Sequence, residues 1–245
     1  RYSIGRAPLY TQVNIVGSVN LLEAAKQHEC GNFVFASTSS IYGKTDQLPF
    51  TEDDPCNLPL SAYPASKKAV ELLGYTYHNL HGMNFTAVRF FSVYGPRARP
   101  DMMPFMVTDR IARGDTITRF NAGQMKRDWT FVDDIVDGVC KSIERVVAKD
   151  EILYETYNLG NSVPVSLTEL INAIESVTGT KMKIKRQEAP QGDVPITYAD
   201  ISKAQDVLGY QPKTSLTEGI ASFYKWMIKT EREKTESSTT SMFTH

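Results

Sequence analysis

The chain has 245 residues, 41% hydrophobic and 22% charged, with a formal net charge of -1. That composition is ordinary for a globular protein and offers no general basic surface for nucleic acid or membrane. Cys30, Cys56 and Cys140 are too scattered for a disulfide framework or metal cluster and favour a reducing compartment, the cytoplasm, and no apolar run approaches the ~20 residues of a membrane span.

Residues 8–28 read as a helix: Ile15, Val19 and Leu22 recur at helical spacing, and Leu21, Ala24 and Ala25 widen the apolar face. Phe33-Val34-Phe35-Ala36 is a short apolar run bounded by polar residues, which reads as a buried strand. It empties into Ser37-Thr38-Ser39-Ser40-Ile41-Tyr42-Gly43. The stretch 44–60 carries Pro49, Pro55 and Pro59 and the acids Glu52, Asp53 and Asp54; it reads as a solvated surface loop rather than a metal site. A helix is expected over 63–81, then a strand over 85–91. The loop 96–104 holds Arg97 and Arg99, 102–113 reads as a helix ended by Gly114, 116–120 as a strand and 121–124 as a turn. Residues 127–130 lead into a helix over 132–147, where Asp133 and Asp134 suit the positive end of the helix dipole and read as a helix start rather than a catalytic dyad.

A strand is expected over 154–159. Ser166 with Glu169 forms a capping box for a helix that stops at Gly179. Residues 181–185 alternate as a strand with one wet face, 189–195 form a loop, and short helices are expected over 201–208 and 216–228. From Thr230 onward polar residues replace apolar ones, which predicts a disordered tail over 230–245.

The chemistry concentrates in Tyr63-Pro64-Ala65-Ser66-Lys67. Residues four apart on a helix share a face, so the phenol and the ammonium can enter one cleft. A nearby cation favours the phenolate, which makes the pair a candidate general base. A solvated helix face fits the same spacing. The hydroxyl loop at 37–43 sharpens the choice, because the carboxyl ends of strands are where open α/β sheets bind ligands.

Six segments in order carry a resemblance: the loop at 37–43, Tyr63-Pro64-Ala65-Ser66-Lys67-Lys68, Arg89-Phe90-Phe91-Ser92-Val93-Tyr94-Gly95-Pro96, Arg99-Pro100-Asp101-Met102, Arg127-Asp128-Trp129-Thr130-Phe131-Val132-Asp133-Asp134-Ile135 and Gly192-Asp193-Val194-Pro195. With these the chain resembles the extended short-chain dehydrogenases/reductases, in the NAD-dependent nucleotide-sugar epimerase/dehydratase family, and most resembles the UDP-glucuronate 4-epimerases. The resemblance implies the C-terminal part of a Rossmann-type doubly wound parallel sheet, over 1–91 and 128–161, and a smaller α/β substrate-binding domain over 92–127 and 162–229. No Gly-x-x-Gly-x-x-Gly turn follows a strand anywhere in the sequence. The family places that turn, and an acid for the cofactor ribose, upstream of where this chain begins, so a fragment, a splice or truncation product, or a deliberately cut chain is expected.

The resemblance implies bound NAD as cofactor and a UDP-sugar as substrate. It casts Thr38, Tyr63 and Lys67 as catalytic, and Asn14, Tyr63, Lys67 and Phe91 as cofactor-binding. At Asn14 a polar residue satisfied by nearby backbone is an equal reading. Thr38, Ser39, Ser40, Ser92, Arg99, Arg127 and Asp193 are implied to bind substrate. The family's 4,6-dehydratases carry an Asp-Glu pair where Ser39 and Ser40 stand, and its decarboxylases carry a Glu at Ser40. The neutral hydroxyls instead suit a uronate carboxylate, and the guanidinium forks suit oxyanions. The resemblance also implies a homodimer, through the Tyr-x-x-x-Lys helix and the helix before it. Alternatives are an epimerase of another UDP-sugar, or a truncated non-catalytic relative that binds nucleotide sugar or pairs with a full-length subunit.

Overall fold

The computed structural model describes residues 2–120, 125–148, 151–187 and 196–242. In chain order the elements are α1 (Ala7–Tyr10), a π-helical stretch (Thr11–Val16), α2 (Gly17–Gln27), β1 (Asn32–Thr38), a 3-10 turn (Ser39–Tyr42), α3 (Ala62–His81), β2 (Asn84–Phe90), β3 (Ser92–Tyr94) and α4 (Met103–Ala112). They continue with β4 (Thr116–Phe120), β5 (Lys126–Phe131), α5 (Val132–Ala148), β6 (Tyr154–Leu159), β7 (Pro164–Ser166), α6 (Leu167–Thr178), β8 (Lys183–Gln187), β9 (Ile196–Thr197), α7 (Ser202–Leu208) and α8 (Leu216–Met242).

The chain divides into two compact units. The first comprises Arg1–Phe91, Asp133–Val163 and Thr197–Pro212. Its sheet is parallel, in the order β1-β2-β6, with Thr38 opposite Phe90 and Phe90 opposite Leu159. All three strands therefore end on one edge, the ligand-binding edge of an open α/β sheet. The core beneath it is Leu22, Phe35, Val70, Tyr77, Met83, Phe85 and Ala87. Gly74 of α3 is required by this packing: a Cβ there would stand 2.3 Å from the Phe85 ring.

The second unit comprises Ser92–Val132, Pro164–Ile196 and Lys213–His245. Here β3 pairs in parallel with β5, β5 pairs antiparallel with β7, and β4 pairs in parallel with β8. Helices α4, α6 and α8 close over Tyr94, Val107, Trp129, Phe131, Leu170 and Ile220. The capping box is present: Glu169 N–H donates to the Ser166 hydroxyl at 3.1 Å and Ser166 N–H to the Glu169 carboxylate at 2.7 Å.

Three expectations change. The segment 127–130 is not a simple lead-in to a helix but most of strand β5, and its pairing with β3 and β7 puts 128–132 in the second unit. The segment 197–212 belongs to the first unit, because Phe50 N–H bonds the Tyr198 carbonyl at 3.0 Å and the Tyr210 hydroxyl bonds the Gly160 carbonyl at 3.0 Å. Helix α8 runs past Thr230 to Met242, since the Glu, Lys and Arg that replace apolar residues there are themselves good helix formers. The turn expected at 121–124, the loop at 189–195 and residues 243–245 of the expected tail lie outside the described residues.

Candidate active site

The site grows from the end of β1. Thr38 is the last residue of the strand, and its side chain caps the 3-10 turn by accepting Ser40 N–H at 3.2 Å. Its hydroxyl donates to the Ser40 hydroxyl at 3.3 Å. Thr38 is buried, Ser39 half-buried and Ser40 exposed, so the turn leads a chain of hydroxyls outward. The turn closes on Gly43, whose φ of 57° and close approach to the Leu58 carbonyl, 2.0 Å from where a Cβ would stand, require glycine.

Helix α3 brings its first turn to this loop. Lys67 Nζ donates to the Ala36 carbonyl at 2.8 Å, two residues before Thr38, and lies 4.7 Å from the centre of the Phe35 ring. Burial holds the Lys67 ammonium below the usual lysine range. Tyr63 stands one turn earlier, half-buried, with the Tyr10 ring edge-on to it at 6.0 Å. Asn14, in the π-helical stretch, donates from Nδ2 to the Ser66 hydroxyl at 2.9 Å, and that hydroxyl donates to the Tyr63 carbonyl at 2.8 Å. Asn14 is thus satisfied by a side chain of α3 rather than by nearby backbone. Phe91 is buried just past the end of β2, where its N–H bonds the Leu159 carbonyl at 3.1 Å.

The remaining candidates fall in the second unit. Ser92 opens β3 opposite Trp129. Arg99 is exposed and forks onto Asp101, with one arm, Nε to Oδ1, at 2.9 Å. Arg127 donates to the Lys126 carbonyl at 2.8 Å and approaches the Met125 sulfur at 2.9 Å. Asp193 lies outside the described residues.

Sequence reading missed the polar cluster behind the loop. Glu71, on α3 one turn beyond Lys67, is fully buried. It receives the Ser37 hydroxyl at 2.6 Å and a two-armed bond from Arg89, at 3.1 and 2.9 Å. Arg89 continues to the Tyr42 hydroxyl at 3.0 Å, which donates to Asn158 Oδ1 at 2.7 Å. Burial alone would raise the Glu71 pKa, but the Arg89 hydrogen bonds and charge, with Ser37 and Lys68, hold it below the usual carboxylate range. Burial pushes the Tyr42 phenol well above its ordinary value. Glu52, expected on a solvated loop, is half-buried and accepts Asn158 N–H at 2.7 Å. The available signal was an Arg flanked by Ala87, Val88, Phe90 and Phe91 in a strand, where a charge needs a buried partner.

The residues at the loop suit the ribose end of a nicotinamide cofactor. Lys67 spends one donor on Ala36 and has others to give to vicinal hydroxyls.

Comparison with known proteins identifies the family. A family model described as GDP-mannose 4,6 dehydratase matches residues 1–223. UDP-glucuronate 4-epimerase 5 of Arabidopsis thaliana is 40% identical over 241 residues, covering 93% of this chain and 55% of that protein; the chain thus spans about half of that plant relative. The crystal structure of UDP-glucuronic acid 4-epimerase from Bacillus cereus, in complex with UDP-glucuronic acid and NAD, superposes with a TM-score of 0.81 at 32% identity, covering 90% of this chain and 68% of that one. UDP-glucose 4-epimerase of Thermotoga maritima, with UDP-glucose, gives a TM-score of 0.84 at 28% identity, covering 94% of this chain and 74% of that one. The match over nearly the whole chain, and the parallel sheet that carries Thr38 and the Tyr-x-x-x-Lys helix at its carboxyl edge, lead to one conclusion: the chain belongs to the NAD-dependent nucleotide-sugar epimerase/dehydratase family.

Proposed function

We propose that the chain carries the catalytic residues of a nucleotide-sugar 4-epimerase whose substrate pair is UDP-glucuronate and UDP-galacturonate. The observation that carries the reading is the placement of Lys67, one turn from Tyr63, on the Ala36 carbonyl beside Thr38. Tyr63, Lys67, Asn14 and Phe91 would hold NAD, which when bound would supply a hydride acceptor and donor for sugar C4. Tyr63 takes the proton from the 4-hydroxyl and later returns it to the same oxygen. Thr38 shares that proton, and its bond to Ser40 orients the hydroxyl. Lys67, four residues on along the same helix, is assigned to offset the negative charge that the phenol develops as it takes part in proton transfer. Hydride would leave C4 as the 4-hydroxyl is deprotonated. The 4-keto sugar would then turn over in the site, hydride would return to the opposite face of C4 while Tyr63 returns the proton to the oxygen, and the net result is inversion at C4.

Substrate choice rests on the loop. Dehydration and decarboxylation both need an acid or base at the turn, and Ser39 and Ser40 supply neither. Two hydroxyls beside a half-open strand end suit a uronate carboxylate, and Ser92, Arg99, Arg127 and Asp193 are assigned to the nucleotide sugar. The Thermotoga maritima relative, crystallised with UDP-glucose, keeps a neutral UDP-hexose as the alternative. Replacing Ser39 and Ser40 with Ala separates them: a far larger loss on UDP-glucuronate than on UDP-glucose supports the uronate, and equal losses refute it.

Exposed Leu9, Val13 and Val16 on the N-terminal helical stretch and Leu72 and Leu80 on α3 support a homodimer. Three free cysteines, Cys30 and Cys140 exposed, suit a reducing compartment such as the cytoplasm.

A further inference from the structure

Two rungs join the end of β1 to α3. One is Lys67 Nζ to the Ala36 carbonyl at 2.8 Å, the other Ser37 Oγ to Glu71 Oε1 at 2.6 Å. Their helix ends are four residues apart, one turn, and their strand ends are consecutive residues. The next residue along the strand is Thr38. We infer that Glu71, acting through Ser37, is a positioning residue of the proposed epimerase site: it sets how the end of β1 sits against the Tyr63–Lys67 face of α3.

The inference rests on that functional reading and on three observations. First, the carboxylate cannot rotate freely. Arg89 grips both oxygens, Nε to Oε1 and a terminal nitrogen to Oε2, leaving Oε1 aimed at Ser37. Second, the same guanidinium reaches Tyr42 at 3.0 Å, so one ion pair references both flanks of the hydroxyl turn, Ser37 before it and Tyr42 at its close. Third, a buried ion pair is a poor device for stability, because desolvation offsets its attraction and an apolar pair of like volume would serve as well. What charge adds here is direction. A fixed carboxylate holds a hydroxyl, the hydroxyl holds the strand end, and the strand end carries Thr38.

The test is Ser37→Ala, which removes one rung and leaves the Glu71–Arg89 pair whole. Three quantities are read: the melting temperature, the exchange rate of the Ser40 amide, which bonds Thr38 Oγ1, and the split between kcat and KM for UDP-glucuronate. The expected result is a melting temperature within about 4 °C of the parent. With it comes roughly tenfold faster Ser40 exchange, and a kcat lower by about 10- to 100-fold at nearly unchanged KM. A second variant, Glu71→Leu with Arg89→Met, leaves no orphaned charge and is expected to fold and to show the same faster exchange. Parental Ser40 exchange and kcat in a folded Ser37→Ala overturn the inference. So does failure of both variants to fold, which assigns the cluster to stability alone. If the parent itself turns over no UDP-sugar, the functional reading fails, and Ser40 exchange still decides whether Glu71 holds the turn.

Discussion

Arg89→Leu isolates the energetics of the buried pair. Arg89 and Glu71 side chains are 3% and 1% exposed, and among the described residues the substitution leaves the carboxylate Ser37 and a distant Lys68, at 3.5 Å, as donors. Removing one partner of such a pair costs about 3–5 kcal/mol, which for a chain of this size lowers the melting temperature by roughly 6–20 °C. The pH dependence gives a sharper check. In the parent, Glu71 is held below its ordinary 4.5, so its contribution is complete above about that pH and is lost as pH falls through the lower folded value. In the variant, burial without the guanidinium raises the folded value above the unfolded one. The penalty is then complete near neutrality and shrinks as pH falls toward 4.5. Urea unfolding of both proteins at pH 7, 6, 5 and 4, followed by circular dichroism, should show a stability gap that narrows on acidification. A gap under ~1 kcal/mol, or one independent of pH, refutes the argument that the pair is desolvated and charged.

Other outcomes follow from the same geometry. Gly74→Ala should cost about 1–3 kcal/mol in urea unfolding, since its Cβ would meet the Phe85 ring at 2.3 Å, and adding Phe85→Leu should recover part of that loss. Asn14→Ala should weaken NAD binding in a calorimetric titration with little change in melting temperature; unchanged affinity would count against its place beside the cofactor. Ser166→Ala should destabilise the second unit by ~1 kcal/mol through loss of the capping box. Sedimentation should give twice the chain mass, and a strictly monomeric mass removes the homodimer.

Local patterning made the site-bearing elements of the first unit readable. The run at 33–36, the helix around Tyr63 and Lys67, and the strand before Phe91 each carry a periodicity that sequence reports directly, and the structure places them at β1, α3 and β2 within one or two residues. Strand β5 was hidden because Lys126-Arg127-Asp128 shows no apolar alternation; its place is fixed by backbone pairing to β3 and β7. The π-helical stretch at Thr11–Val16 was unreadable for a similar reason, since its apolar residues fit an ordinary helix. Among the candidate site residues, Tyr63 and Lys67 were legible from residue type and spacing, and Thr38 from the resemblance of its hydroxyl loop to the family's. Glu71, Arg89, Tyr42 and Asn158 were not, because each finds its partner across 18 to 116 residues of sequence and no local pattern marks the pairing.

The most direct measurement is proton NMR of the anomeric region while the purified chain is incubated with NAD and UDP-glucuronate, alongside Tyr63→Phe. The account predicts slow appearance of UDP-galacturonate to an equilibrium mixture, no accumulation of reduced cofactor, and loss of turnover in Tyr63→Phe with substrate binding retained. Turnover that survives Tyr63→Phe, or a product that has lost water or carbon dioxide, would contradict it.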